Sequence, residues 1–268
     1  HWALRQTLVL PLAGLYGLFG VSETVLISVS TIFYFGLLAM VALWLARRYS
    51  SAAAWLFVVL ASVAPGFAAL AGTANVDVIE AFFIVASVLA FQMAREQPAR
   101  AKQLLFWAGV FAGFAFVSRA TTIALLIAYG FFFVTGRYHT RRYYVPLWVG
   151  AALIYLLDTL YYFVLTGDPL YRLHVMLYSH VGIGNEGLAA VTASPDMAAR
   201  VGTGNLLEGT ALEPIMAVLI NNEFGLILLG AVFLFVLLRR HKYTVPGEMR
   251  LLFLVAVIHF LVVGYLMD

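Results

Sequence analysis

Apolar runs too long for the core of a soluble domain recur along the whole chain, and they dictate its fold class. Eight of them, at about 24–46, 53–72, 76–94, 103–118, 120–136, 145–165, 222–238 and 250–267, each span about 15–23 residues. Inside a bilayer the backbone finds no water to bond, so a spanning segment is a helix or part of a closed barrel. Barrel strands read as alternating segments of about ten residues. These runs are longer and uniformly apolar, so the chain is expected to be all-α, a polytopic transmembrane helical bundle with about eight spans. Hydrophobic content of 63% against 11% charged residues excludes an ordinary soluble domain.

The few charges orient the bundle. Twelve of the 16 basic residues fall in alternate connections: Arg47 and Arg48, then Arg95, Arg100 and Lys102, then Arg137, Arg141 and Arg142, then Arg239, Arg240, Lys242 and Arg250. The positive-inside rule assigns that side to the cytoplasm, and any chemistry outside the membrane to the opposite face. The net charge of +3 therefore belongs to membrane-surface loops, and no nucleic-acid partner is expected. Without cysteine there is neither a disulfide nor a thiolate metal site.

On the outer side, residues 3–19 are apolar but short and interrupted by Pro11, Gly14 and Gly17. Such a segment reads as a juxtamembrane helix on the outer surface, not a span. Gly20 ends it and Ser22 caps the next helix. Pro65-Gly66 predicts a kink in the second span. Gly109-xxx-Gly113 is the small-residue spacing that lets membrane helices approach closely. Residues 166–221 form the only long hydrophilic stretch, an outer loop in which Asp168, Glu186, Asp196, Glu208 and Glu213 outnumber Arg172 and Arg200. Residues 1–268 read as one transmembrane domain, a fragment lacking at least one helix before His1 and further helices after Asp268. No internal repeat is visible, so the sequence lends nothing to a transporter built from two similar halves.

Candidate chemistry gathers at the outer ends. Asp77 and Glu80 are three apart at the start of the third span, hence on one helix face, with Glu80 ~4.5 Å deeper. Capping and the helix dipole explain Asp77 fully. They do not explain Glu80, an ionisable group already inside an apolar run. Arg119 is the sharpest signal, a basic residue at the outer end of a hairpin flanked by Ser118, Thr121 and Thr122. Its guanidinium can grip a phosphate bidentately; it can also snorkel to headgroups or pair with Asp77 or Glu80. Anion binding is the favoured reading. Asp158, inside the sixth span with Tyr155, Thr159 and Tyr162 nearby on the helix, is either a polar cavity wall or a buried structural carboxylate.

Beyond that span, Gly167-Asp168-Pro169 is a turn signal. Tyr171, Arg172, His174, Tyr178 and His180 follow as a dense set of stacking and hydrogen-bonding groups suited to sugars or headgroups. His174 and His180 come with no third ligand, so no metal site is assigned and metal dependence stays open. His259, in the last span, reads as a hydrogen-bonded packing residue. Nucleophile elbows, P-loops, dinucleotide fingerprints and zinc-protease motifs are absent.

The order "LFGVSE", a long helix ending "LARRY", then "ASVAPGF" and "GTANVDVIEAFFIVASVLAF", resembles C-type polytopic membrane glycosyltransferases. "GVFAGFAFVSRATTIALLI" is similar to the glycine-rich helix of that family, and "YYFVLTGDPLYRL" to its post-helix turn. The likeness covers about residues 1–180 and is closest to bacterial protein O-mannosyltransferases and lipid A aminoarabinose transferases. It implies transfer of a sugar from a polyprenyl-phosphate carrier to a glycan, lipid or protein acceptor, at the periplasmic face of a bacterial inner membrane. It matches Asp77 to the acidic residue of the second outer loop, and Arg119 to a basic residue holding the lipid phosphate. It places the principal catalytic acid in a first outer loop ahead of His1, with His1 and Arg5 at that loop's end. The expected site is therefore Asp77 and Glu80 as catalytic carboxylates, with Arg119, Thr121, Asp158, Tyr171, Arg172 and His174 binding substrate. The competing expectations are a transporter or lipid flippase, which needs charges along a path near the bilayer midplane, and a membrane assembly factor without catalysis.

Overall fold

The computed structural model describes residues 5–63, 70–119, 122–136 and 138–180. The expected spans at 222–238 and 250–267, the outer loop beyond residue 180, Pro65-Gly66, Thr121, His259 and His1 lie outside the described residues, as do the side chains of Tyr178 and His180. Eight α-helices are described: α1 Gln6–Phe19, α2 Glu23–Arg48, α3 Ser51–Val63, α4 Val76–Glu96, α5 Ala101–Ser118, α6 Ile123–Thr135, α7 Tyr144–Thr166 and α8 Tyr171–His180. Short 3-10 turns at Leu70–Gly72, Pro98–Arg100 and Arg141–Tyr143 link them.

Four segments are long and apolar enough to cross a membrane, Glu23–Arg48, Val76–Glu96, Pro98–Ser118 and Arg141–Thr166. They coincide with the first, third, fourth and sixth expected spans. The protein is a polytopic helical integral membrane protein. The fifth expected span is shorter than its apolar run: α6 has 13 residues, ~20 Å at ~1.5 Å per residue, against a hydrocarbon core of ~30 Å. Its ends explain why. Thr122 stands at the N-cap, and Gly136 closes the helix in the left-handed region at φ +62°. Of the run at 53–72, the described residues form α3 up to Val63 and the turn at Leu70–Gly72.

The described residues fall into two compact units, divided after Asp158. Within the first, α4 and α5 pack along their length on either side of the Pro98–Arg100 turn. Ile79, Val88 and Phe91 of α4 are wholly buried. Ser87 donates to the Ala108 carbonyl at 2.7 Å and shares a 2.8 Å hydrogen bond with the Tyr129 hydroxyl, tying α4, α5 and α6 together. In lipid, where polar groups have no water to fall back on, such bonds hold helices together. Outward, Ile32, Phe35, Trp55 and Leu156 are exposed, as a lipid-facing surface requires.

The glycine spacing sets the crossing of α5 and α7. A Cβ at Gly109 would lie 1.8 Å from the Leu147 carbonyl oxygen, and one at Gly113 would lie 2.7 Å from Ile154 Cβ. From the other side, a Cβ at Gly150 would lie 2.3 Å from the Phe106 oxygen. Backbone here meets backbone, which only glycine permits.

Helix α1 packs over the ends of α2, α4 and α5 that lie away from the basic connections. Leu8 is buried with Val29 of α2 and Ile79 of α4, and Thr7 Oγ1 donates to Ser118 Oγ at 2.7 Å. Its far end leaves Leu18 and Phe19 exposed. Gly20 turns the chain at φ +79°, and Ser22 then caps α2 by accepting from the Val25 N–H at 3.3 Å. At the opposite, basic end, Arg48 pairs with Glu96 at 3.2 Å and Arg95 lies 4.8 Å over the Tyr138 ring.

Candidate functional site

The end of the bundle opposite the basic connections is built on a tightly held loop before α4. Thr31 Oγ1 donates to the Ala71 carbonyl at 2.7 Å. Ser30 Oγ donates to the Asn75 carbonyl at 3.1 Å and accepts from the Asn75 N–H at 2.9 Å. Asn75 then caps α4, its Oδ1 accepting from the Asp77 N–H at 2.7 Å. The cap that the sequence offered to Asp77 thus belongs to Asn75. That residue stands in extended backbone just ahead of the helix, the geometry a capping side chain needs. The Asp77 carboxylate is released for other work.

It meets Arg119. A guanidinium Nη of Arg119 bonds Asp77 Oδ1, with 35% and 46% of the two side chains exposed. One turn deeper, Glu80 is buried, and the wholly buried Thr122 donates its hydroxyl to Glu80 Oε1 at 2.6 Å. The two contacts form a ladder: Asp77 and Glu80, three apart on α4, face Arg119 and Thr122, three apart in the turn between α5 and α6. Thr122 stands at the N-cap of α6 yet makes no side-chain cap there, because its hydroxyl is spent on Glu80. Ser118 is buried beside the ladder, where it accepts from Thr7 and donates to the Phe114 carbonyl at 2.7 Å.

Of the expected site residues, Asp77, Glu80 and Arg119 are brought together, while Thr121 lies outside the described residues. Its neighbour Thr122, which the sequence marks only as a flank of Arg119, gives its hydroxyl to Glu80. The spacing of the two acids carried that signal, since a partner of Arg119 on Asp77 puts the residue three further on against Glu80. Asp158 is buried in α7. Tyr155, expected to serve it, is 39% exposed and leans on Phe116 with centroids 6.2 Å apart.

In the second unit, Gly167 turns the chain at φ +76°, and Asp168 organises the start of α8. Its Oδ1 accepts from the Leu170 N–H at 2.8 Å and its Oδ2 contacts His174 Nδ1 at 2.8 Å. The Leu170 N–H, assisted by His174, holds the Asp168 carboxyl below the ordinary carboxylate range. The turn therefore keeps this bond above that range and loses it as pH falls through the lowered value. The Tyr171 ring rests against Tyr162 at 5.2 Å. Arg172 is buried, and His174 remains about half exposed beside Asp168.

The family model described as dolichyl-phosphate-mannose-protein mannosyltransferase matches residues 10–162, more than half of the chain. That stretch contains Asp77, Glu80, Arg119, Thr122 and Asp158, and ends before Tyr171, Arg172 and His174. No curated protein and no solved structure matches the chain.

Proposed function

The chain belongs to the dolichyl-phosphate-mannose-protein mannosyltransferase family of C-type membrane glycosyltransferases, and on that premise we propose that it moves a sugar from a polyprenyl-phosphate carrier to an acceptor at the periplasmic face of a bacterial inner membrane. The supporting observation is the ladder of Asp77 with Arg119 and Glu80 with Thr122, at the end of the bundle away from the basic connections. A phosphate-linked sugar already carries a good leaving group. The enzyme needs chiefly a base for the acceptor and positive charge for the departing phosphate.

In the proposed step an acceptor hydroxyl oxygen attacks the anomeric carbon and the carbon–oxygen bond to phosphate breaks. The bonding pair leaves with the polyprenyl phosphate, and the acceptor proton passes to a carboxylate. Asp77, half-exposed, is suited to reach that proton. Arg119 spends one arm on Asp77 and has further N–H donors to offer the phosphate. Glu80, held by Thr122, is the second catalytic carboxylate. Thr121 and Asp158 are assigned to the donor, and Tyr171, Arg172 and His174 to the sugar or its headgroup.

Mass spectrometry of lipids that copurify with the protein tests the assignment. A bound polyprenyl phosphate, or its sugar ester, that donates labelled sugar to an acceptor is the expected result. Movement of labelled lipid across vesicles with no sugar transfer would establish the flippase reading instead. Within the site, Glu80→Gln keeps the shape and an acceptor for the Thr122 hydroxyl while removing the charge. It is expected to fold normally and to lower transfer by about 10²-fold or more. Wild-type rates in that variant would remove Glu80 from the chemistry.

A further inference from the structure

At the basic end of the bundle, far from the ladder, α2, α4 and α5 leave an open groove of about 810 Å³ between them. Its α2 wall is a stripe at helical spacing from Gly36 through Leu43 to Arg47, and its α4 wall runs from Phe82 to Gln92 and Glu96. The walls are apolar toward the middle of the bundle and polar only at the basic mouth. Two observations there are unexplained by packing. Gln92 is only 4% exposed, yet its Nε2 has no hydrogen-bond partner among the described residues. A buried amide left so is destabilising unless an acceptor from outside the chain meets it. Glu96 is neutralised by Arg48 at 3.2 Å, so Arg47, exposed at the same mouth and without an ion-pair partner among the described residues, leaves a net positive charge. Trp107 of α5 also lines the groove, its ring held against Phe106 and Phe111.

The depths of these groups match one ligand. Gln92 lies four residues before Glu96, and so ~6 Å deeper along α4 than the arginines. The headgroup layer on each side of a bilayer is of that thickness, about 5–8 Å. A phosphate at Arg47 would set a glycerol ester carbonyl at Gln92 Nε2 and an acyl chain along Phe82 and Gly36. We propose that this groove holds an anionic phospholipid of the leaflet at the basic end. Phosphate on Arg47, ester carbonyl on Gln92 and one chain between α2 and α4 are its three contacts. This site is separate from the sugar-transfer assignment and stands or falls without it. A helix seated there would have to bring both an anion and a buried acceptor, whereas a phospholipid carries both at the required separation.

The probe is phosphatidylglycerol with a diazirine on its acyl chain, in vesicles of phosphatidylcholine holding the protein. Illumination and peptide mapping are expected to place adducts on the groove walls of α2 and α4. The phosphatidylcholine probe should label them several-fold less. Arg47→Gln should lower labelling by phosphatidylglycerol about fivefold, the worth of one cation near an anionic headgroup. Gln92→Leu should also lower it, and Arg142→Gln, at the same end but outside the groove, should leave it unchanged. Equal labelling by the two lipids, or labelling indifferent to Arg47, would overturn the proposal. So would crosslinks joining the groove to another segment of the chain, or a polyprenyl chain recovered from it.

Discussion

Arg119→Ala is expected to lower sugar transfer by about 10²–10³-fold, the usual loss when one preorganised donor to developing negative charge is removed. Stability decides what such a loss would mean. Arg119 and Asp77 are 35% and 46% exposed, and an ion pair that open to solvent contributes only about 0–1 kcal/mol. The substitution therefore moves thermal unfolding little under either reading, and the rate separates them. If the pair were merely structural, transfer would be unchanged; if Arg119 holds the phosphate, the rate falls far more than so small a loss of stability explains. Arg119→Lys keeps the charge but loses the planar fork, so partial activity with weaker donor binding is expected. Asp77→Asn completes the set. It frees the guanidinium from its anion while removing a carboxylate, so donor binding should persist as turnover drops. Assay of transfer and of donor binding across the three variants in detergent or vesicles separates these outcomes. Full activity in Arg119→Ala would leave the ladder as scaffolding.

The sequence displayed the large features because the bilayer leaves few alternatives. Four of its long apolar runs return as helices with nearly the expected bounds, and the Ser22 cap and the Gly109 spacing are found where the residue types require them. What it hid are choices between neighbours of similar chemistry. Asn75 and Asp77 can both cap α4, and only the Ser30 bonds to the Asn75 backbone decide between them. Nothing local marks Thr122, yet its hydroxyl faces Glu80 because its spacing from Arg119 repeats that of the two acids. The length of α6 was hidden too, since hydropathy counts apolar residues and not the caps that cut the helix short. In each case a contact about forty residues away, or a backbone angle, settles what local pattern leaves open.

Those long-range contacts depend on how closely α5 can approach its neighbours, and Gly109 tests this most severely. Even Gly109→Ala would put a methyl carbon 1.8 Å from a backbone oxygen of Leu147. No rotamer relieves that contact, so the helices must separate. Overpacked cores lose about 1–3 kcal/mol or occasionally more, and a clash with backbone belongs at the top of that range. Gly130→Ala is the matched control, because a Cβ on that α6 glycine meets nothing within 4 Å. There alanine should be neutral, or stabilising by up to about 1 kcal/mol from helix propensity. The function should follow the geometry. Ser118 ends α5 and Arg119 follows it directly, so separating α5 from α7 displaces the guanidinium, and a shift of about 1 Å can cost about 10²-fold in rate. Gly109→Ala is thus expected to lose stability and transfer together, where Arg119→Ala loses transfer alone. Equal melting of the Gly109→Ala and Gly130→Ala proteins in a detergent unfolding series would mean that α5 and α7 do not cross in contact, and that the placement of Arg119 has some other support.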